Sequence, residues 1–369
     1  MSATKLDPLS YMQRAIRVAE KARGTCAPNP FVGAVIAKRG QIIAEGCSQF
    51  CGGDHAEIQA LRIAGAKARG ADLYVTLEPC SHHGKTPPCT DAIIRAGIKR
   101  VFLGISDPNP LVNGQGIQQL QNAGIEVQAG LCPEQIKRQL EYFLCRITKG
   151  RPFVIWKAAL SMDGKYAARD GSSRWISGAR PRLAVHRLRE EADVIITGIG
   201  SVLKDDPLLN VRLPRPRKQP LRAILDSSLR LPRDSQIAAS AKEYPTILFC
   251  ATGQENKAKA RELSIRGVQI QPVQSNQDGL NLAEVLDFLH SAGHYCVLLE
   301  CGSKLASSFF DAHLVDKCII HYGAKLVGGP KSILSELALP DISAAIPLRD
   351  VSYRKLGDDF SLIGYPVFK

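Results

Sequence analysis

The sequence predicts a two-domain α/β protein, with an αβα-layered domain over residues 1–149 and a second, mainly parallel α/β domain over residues 150–369. Three observations predict it. At 369 residues the chain is longer than the ~250–300 that one hydrophobic core usually organises. Helical and strand-like patterns alternate along its whole length. Around Arg146-Ile-Thr-Lys-Gly-Arg-Pro152 the composition turns to charge, Gly and Pro, as it does at a joint between domains.

In the first domain, Leu9 to Arg23 carries apolar residues at helical spacing. Val32 to Ala37 and Ile42 to Glu45 flank the turn Lys38-Arg39-Gly40-Gln41 and predict a hairpin. A helix is expected from His55 to Lys67 with Asp54 as its cap. The strand Leu73 to Leu77 follows, then a helix opened by Pro87-Pro88 and closed by Gly97, then strands at Arg100 to Ile105 and Glu126 to Gln128. In the second domain the strands predicted are Phe153 to Ala158, Val194 to Thr197, Arg222 to Leu225, Thr246 to Cys250, Tyr295 to Glu300 and Lys317 to Tyr322. The basic, Pro-rich run Arg212 to Pro220 is expected to be a solvated loop.

The net charge of +13 divides evenly, +6 before residue 150 and +7 after it, with no basic tail. That distribution suits a small anionic ligand better than a nucleic-acid backbone. No apolar run approaches the ~18 residues of a membrane-spanning helix, and the opening residues lack the apolar core of a signal peptide, so a cytoplasmic protein is expected. Of eleven cysteines, seven precede residue 150, and only Cys80 and Cys89 share a segment rich in His and Pro.

His55-Ala56-Glu57 at a helix start, Pro79-Cys80 after a strand and Cys89 on the next helix supply one imidazole and two thiolates. That set suits tetrahedral zinc with one coordination position left open, the arrangement of a catalytic site. Helix starts beside the sulfurs favour their deprotonated form. Glu57 is not needed as a ligand and is placed to carry protons, as in zinc-dependent base deaminases. The eight residues between Cys80 and Cys89 depart from the usual Cys-x-x-Cys and bring His82, His83 and Lys85 close to the site. Alternatives are a structural zinc site and a deaminase of nucleic acid.

The segments His55-Ala-Glu57, Pro79-Cys-Ser-His-His-Gly-Lys-Thr-Pro-Pro-Cys89 and Pro28-Asn-Pro30 together resemble the bifunctional deaminase/reductase family of riboflavin biosynthesis. The resemblance spans nearly the whole chain, and the long spacer between the cysteines is typical of that family. It implies a cytidine-deaminase-like first domain and a dihydrofolate-reductase-like second domain that uses NADPH. The first would remove the 2-amino group of a small phosphorylated pyrimidine, 2,5-diamino-6-(5-phosphoribosylamino)pyrimidin-4(3H)-one. The second would reduce the ribosyl chain to ribityl. By position, Asn29, His82 and Lys85 would contact the deaminase substrate. Ala159, Trp175, Ser201, Asp205 and the run Gly302, Ser303, Lys304, Leu305, Ala306, Ser307 and Ser308 would line the NADPH site. Ser173, Arg189, Leu209, Arg212 and Glu300 would line the reductase substrate. The family's Glu-Gly-Gly reads Glu300-Cys301-Gly302 here. A homo-oligomer is also implied.

Read without the family, the second domain is less legible. It has no Gly-x-Gly-x-x-Gly, and Glu300 to Lys304, between a strand and a helix, is its best phosphate-binding candidate.

Overall fold

A computed structural model describes residues 7–26, 29–50, 52–83, 87–109, 112–277, 279–337 and 339–368. The chain forms two units, Met1–Gly150 and Arg151–Lys369.

The first unit contains α1 (Pro8–Ala19), β1 (Gly33–Lys38), β2 (Gln41–Cys47), α2 (Ala56–Ala64), β3 (Asp72–Leu77), α3 (Cys89–Ala96), β4 (Arg100–Ile105), α4 (Gln115–Asn122), β5 (Glu126–Ala129), α5 (Pro133–Gln139) and α6 (Glu141–Lys149). Pro8 begins α1 and the Asp7 carboxylate caps it by accepting from the Ser10 N–H at 2.7 Å. Its apolar stripe of Tyr11, Met12, Ala15, Ile16 and Ala19 is buried in the core. The β1–β2 hairpin turns on Arg39 and Gly40, both at positive φ (53° and 80°), the backbone that matches strand twist in a two-residue turn. The sheet order is β2-β1-β3-β4-β5, antiparallel through the hairpin to β3 and parallel from β3 to β5.

One expectation is corrected here. The N-cap of α2 is His55, and the Asp54 carboxylate instead pairs with Arg62 at 2.8 Å. The next helix follows the expectation: Pro88 is the cap of α3, Cys89 its first residue and Gly97 its C-cap.

The second unit contains β6 (Phe153–Ser161), α7 (Ala179–Glu191), β7 (Val194–Gly198), α8 (Ile199–Asp205), β8 (Leu221–Leu225), α9 (Gln236–Ala239), β9 (Thr246–Ala251), α10 (Ala258–Ile265), β10 (Val268–Val273), β11 (Ser275–Asn276), β12 (Gly279–Leu280), α11 (Leu282–Ser291), β13 (Cys296–Leu299), α12 (Ser303–Asp311), β14 (Lys317–Gly323), β15 (Leu348–Leu356) and β16 (Asp359–Pro366). The sheet runs β10-β9-β8-β7-β13-β6-β14-β16-β15, parallel from β10 to β14 and antiparallel through β16 and β15.

Besides the short β11–β12 pair, three strands of the nine-stranded sheet lie outside the runs the sequence predicts. β10 holds Pro272, which an edge strand tolerates; β15 is a charged, exposed edge; and β16 pairs with it. The run 212–220 is irregular but anchored rather than merely solvated: Arg217 bonds Glu190 and Lys218 bonds Asp193.

Candidate active sites

In the first unit, β3 delivers Cys80 from its carboxyl end while α2 and α3 present His55 and Cys89 at their starts. His55 Nδ1 lies 3.6 Å from Cys80 Sγ and 3.2 Å from Cys89 Sγ. Zinc bonds of about 2.0 Å to nitrogen and 2.3 Å to sulfur at a tetrahedral angle set those atoms about 3.6 Å apart, so the donor set fits the metal. Ligand atoms of all three residues lie within 4.8 Å of one another. The Cys89 N–H donates to Cys80 Sγ at 3.4 Å. Bonding from Cys89, joined by His55, pulls the Cys80 thiol down to about 4, the deprotonated state a metal needs.

Glu57 is 4% exposed on the first turn of α2, and its carboxyl contacts Cys89. Burial pushes that carboxyl up to about 7, where it can both take and give a proton near neutrality.

His82 lies on the turn beyond Cys80. Its Nδ1 is buried without a hydrogen-bond partner among the described residues, and its ring interacts with Asp107. Asn29 is half-buried on the turn before β1, its backbone tied to Cys26. Lys85 lies outside the described residues.

Glu78 went unread, although it directly precedes Pro79-Cys80. Its buried carboxylate accepts four backbone N–H groups: Asp107 (3.2 Å), Gly114 (3.1 Å), Gly116 (3.0 Å) and Ile117 (3.2 Å). It thereby ties the metal-binding turn to the segment that carries Asp107 and to the start of α4. Burial raises the Asp107 carboxyl to about 6.

The second unit holds a cavity of about 1310 Å³ at the carboxyl ends of β6, β7, β8 and β13, where ligands bind in open α/β sheets. Of the residues expected at the cofactor, Ala159, Ser201, Asp205, Gly302, Ser303, Lys304, Leu305 and Ser308 line it. Of those expected at the substrate, Ser173, Arg189, Leu209 and Glu300 do. The starts of α8 and α12 face each other, with Ser201 beside Gly302 and Leu305 beside Gly198. Backbone N–H groups at the α12 start and the lining cations Lys204, Arg230 and Lys304 suit the phosphates of a dinucleotide.

Four of the expected residues are not among those lining the cavity. Ala306 and Ser307 are buried in α12 and do not line the cavity; seven consecutive residues of a helix cannot all face one side, and these two point into the core with Phe309 and Phe310. Trp175 is 60% exposed under the Arg182 guanidinium, 4.6 Å from its ring centre, and its carbonyl accepts from Lys325. Arg212 stands outside the wall, bonded to the Asn210 side chain at 2.9 Å.

The cavity wall includes an ion cluster. Arg189 grips Glu300 (Nε–Oε1 2.6 Å), and Lys157 Nζ lies 3.6 Å from Glu300 Oε2. Burial opposes ionisation of Glu300, yet Arg189 and then Lys157 win and hold its carboxyl down to about 2. Lys157 was missed as a site residue; a lysine inside an otherwise apolar strand was the available signal.

The comparisons with known proteins agree with this geometry. Residues 7–105 match the cytidine and deoxycytidylate deaminase zinc-binding region, and residues 152–362 match the RibD C-terminal domain. The chain is 41% identical to the riboflavin biosynthesis protein RibD of Aquifex aeolicus over 95% of this chain and 96% of that one. It is similar to the solved structure of Acinetobacter baumannii RibD (TM-score 0.86, 36% identity, covering 97% of this chain and 98% of that one). It is also similar to a Thermotoga maritima diaminohydroxyphosphoribosylaminopyrimidine deaminase/5-amino-6-(5-phosphoribosylamino)uracil reductase (TM-score 0.83, 37% identity, covering 97% and 98%). A cytidine-deaminase-like domain followed by a reductase domain, with zinc and NADPH as cofactors, is the composition of such enzymes. The chain belongs to the RibD family and is a bifunctional deaminase and reductase of riboflavin biosynthesis.

Proposed function

We propose that residues 1–149 carry the deaminase and residues 150–369 the reductase, acting in that order on one small phosphorylated pyrimidine. The substrate is 2,5-diamino-6-(5-phosphoribosylamino)pyrimidin-4(3H)-one and the final product 5-amino-6-(5-phosphoribitylamino)uracil. The observation that carries this reading is the meeting of His55, Cys80 and Cys89 around one point with Glu57 buried against Cys89. The reaction names printed for the Thermotoga maritima relative support the substrate assignment.

His55, Cys80 and Cys89 hold zinc, which when bound makes water nucleophilic near neutral pH. The Glu57 carboxylate takes the proton released by the attacking water and returns it to the departing amino group. His82 and Asn29, with Lys85, orient the substrate. In the second unit the α12 start, with Lys204, Arg230 and Lys304, would hold the phosphates of NADPH, which when bound would supply the hydride. Arg189, Lys157 and Glu300 fix the ribosyl chain for transfer, and Lys157 can release a proton because burial lowers its affinity for one.

A cytoplasmic homo-oligomer that binds neither nucleic acid nor membrane completes the proposal. Among the described residues no helix is long and apolar enough to cross a membrane. Sedimentation tests the oligomer.

The activity is tested by incubating zinc-loaded protein with the diaminopyrimidinone and following ammonia, then adding NADPH and following its absorbance. Ammonia first and NADPH oxidation afterwards is the expected result. No ammonia from this substrate contradicts the reading.

A further inference from the structure

Beside the reductase cavity lies an imidazole without a partner. His321 in β14 is 2% exposed, and neither ring nitrogen has a hydrogen-bond partner among the described residues. Orphaned buried polar atoms are costly enough that each one calls for a reason.

Strand register places this residue. His321 is opposite Ala159 of β6 on one side and Ser361 of β16 on the other. Opposed residues share a sheet face, as do residues two apart, so His321 is on the face from which Ala159 and Lys157 line the cavity. The segment 173–178 brings Ser173 to the cavity wall and passes over Gly323. Gly323, two residues beyond His321, lies so close to the Ile176 carbonyl that a Cβ there would collide, and the Gly178 N–H donates to Asp359 Oδ2 at 2.6 Å.

The charged groups that act on the imidazole are Lys157 from β6, Glu300 after β13 and Asp359 from β16. Burial, reinforced by Lys157, outweighs the two carboxylates and holds the ring to about 4. His321 is therefore neutral, with one N–H donor and one acceptor nitrogen free to relay a proton.

Reduction of the opened ribosylamine needs a proton as well as a hydride. Hydride adds to the anomeric carbon, the C=N π pair moves to nitrogen, that nitrogen takes a proton, and NADP⁺ is left. The proton donor must then be recharged in every turnover. Lys157 lines the cavity and is pushed toward proton release, but its other neighbours, Glu300 and Arg189, are locked together and supply none.

We propose that His321 is a positioning residue of the reductase, whose imidazole holds an internal water against Lys157 and through it passes to that amine, from bulk solvent, the proton each reduction consumes. The proposal rests on the reading of residues 150–369 as the reductase. It is tested in the full-length, zinc-loaded protein by comparing wild type with His321→Phe and His321→Asn. NADPH oxidation with the deaminated product is measured from mildly acidic to alkaline pH, together with the NADPH dissociation constant by fluorescence and ammonia release.

In His321→Phe the expected kcat loss is about tenfold on the alkaline side and small on the acidic side, where protons are plentiful. NADPH affinity and ammonia release stay as in wild type. His321→Asn, whose amide can hold a water, recovers most of the loss. A pH profile superimposable on wild type, or a loss equal at every pH and in both variants, overturns the proposal. If His321→Phe does not fold, the D2O solvent isotope effect on kcat decides in His321→Asn: an increase supports the relay and an unchanged value overturns it. A wild type that oxidises no NADPH would instead remove the reductase reading itself.

Discussion

Arg189 and Glu300 meet fork to fork, Nε to Oε1 at 2.6 Å and Nη2 to Oε2 at 3.1 Å, inside the cavity of the second unit. The remaining Arg189 nitrogen donates to the Asn210 carbonyl at 3.1 Å, so the guanidinium also fixes the segment that carries Leu209. Two planar groups locked in this way make a rigid part of the cavity wall, the floor for the ribosyl chain in the function proposed above.

Arg189→Lys keeps the charge but loses the fork. A displacement of about 1 Å at such a site costs on the order of 100-fold, so kcat/KM for NADPH oxidation should fall by about that factor. Ammonia release should not change. Parallel assays of the two half-reactions check this.

The same cluster sets a pH dependence of stability. The Glu300 carboxyl is held down to about 2 in the fold, against ~4.3 in an unfolded chain. A carboxyl with a depressed folded value stabilises the fold above its unfolded value and loses that contribution as pH falls toward the folded one. Glu300→Gln should therefore be clearly less stable than wild type near neutrality, since it strands two buried cations. The gap should narrow as pH is lowered from about 5 toward 3. Urea melts across that range check the sign.

Glu78→Ala would leave four backbone N–H groups of one segment without their acceptor. The expected cost is roughly 3 kcal/mol or more, or about 6–12 °C in the melting of the first unit. Calorimetry checks it. Zinc stoichiometry should drop as well, because the anchor adjoins Cys80.

Much of this was legible in the residues. His55, Cys80 and Cys89 could be grouped because metal ligands are chemically rare types at fixed strand and helix ends. Arg189 and Glu300, 111 positions apart, could be placed only through resemblance, since no local pattern pairs an arginine in one helix with a glutamate at a distant strand end. Resemblance by position names Gly302 to Ser308 as one run and does not separate its two environments: helical periodicity buries Ala306 and Ser307, while Gly302 to Leu305 and Ser308 line the cavity. Glu78, Lys157 and His321 stayed hidden because their importance comes from burial and from what the fold brings to them.

Cys301 stands where the resemblance implies Gly, yet its backbone lies outside the left-handed region, so nothing in the turn requires glycine. Burial, helped by Glu300, pushes its thiol far above the usual range. Cys301→Gly should leave NADPH affinity unaltered, and Cys301 should resist iodoacetamide at mildly alkaline pH, where thiolates of ordinary acidity react. Peptide mapping after labelling checks the second expectation.

The most direct test of the account is the rate of ammonia release by zinc-loaded Glu57→Gln, with zinc content and NADPH oxidation of added deaminated product measured on the same sample. The account predicts wild-type zinc and reductase activity with ammonia release down by about 10²–10⁴-fold, the usual worth of a general acid–base group. Ammonia release at the wild-type rate would contradict it, because Glu57 would then carry no proton and the His55, Cys80 and Cys89 site would not be the deaminase centre described.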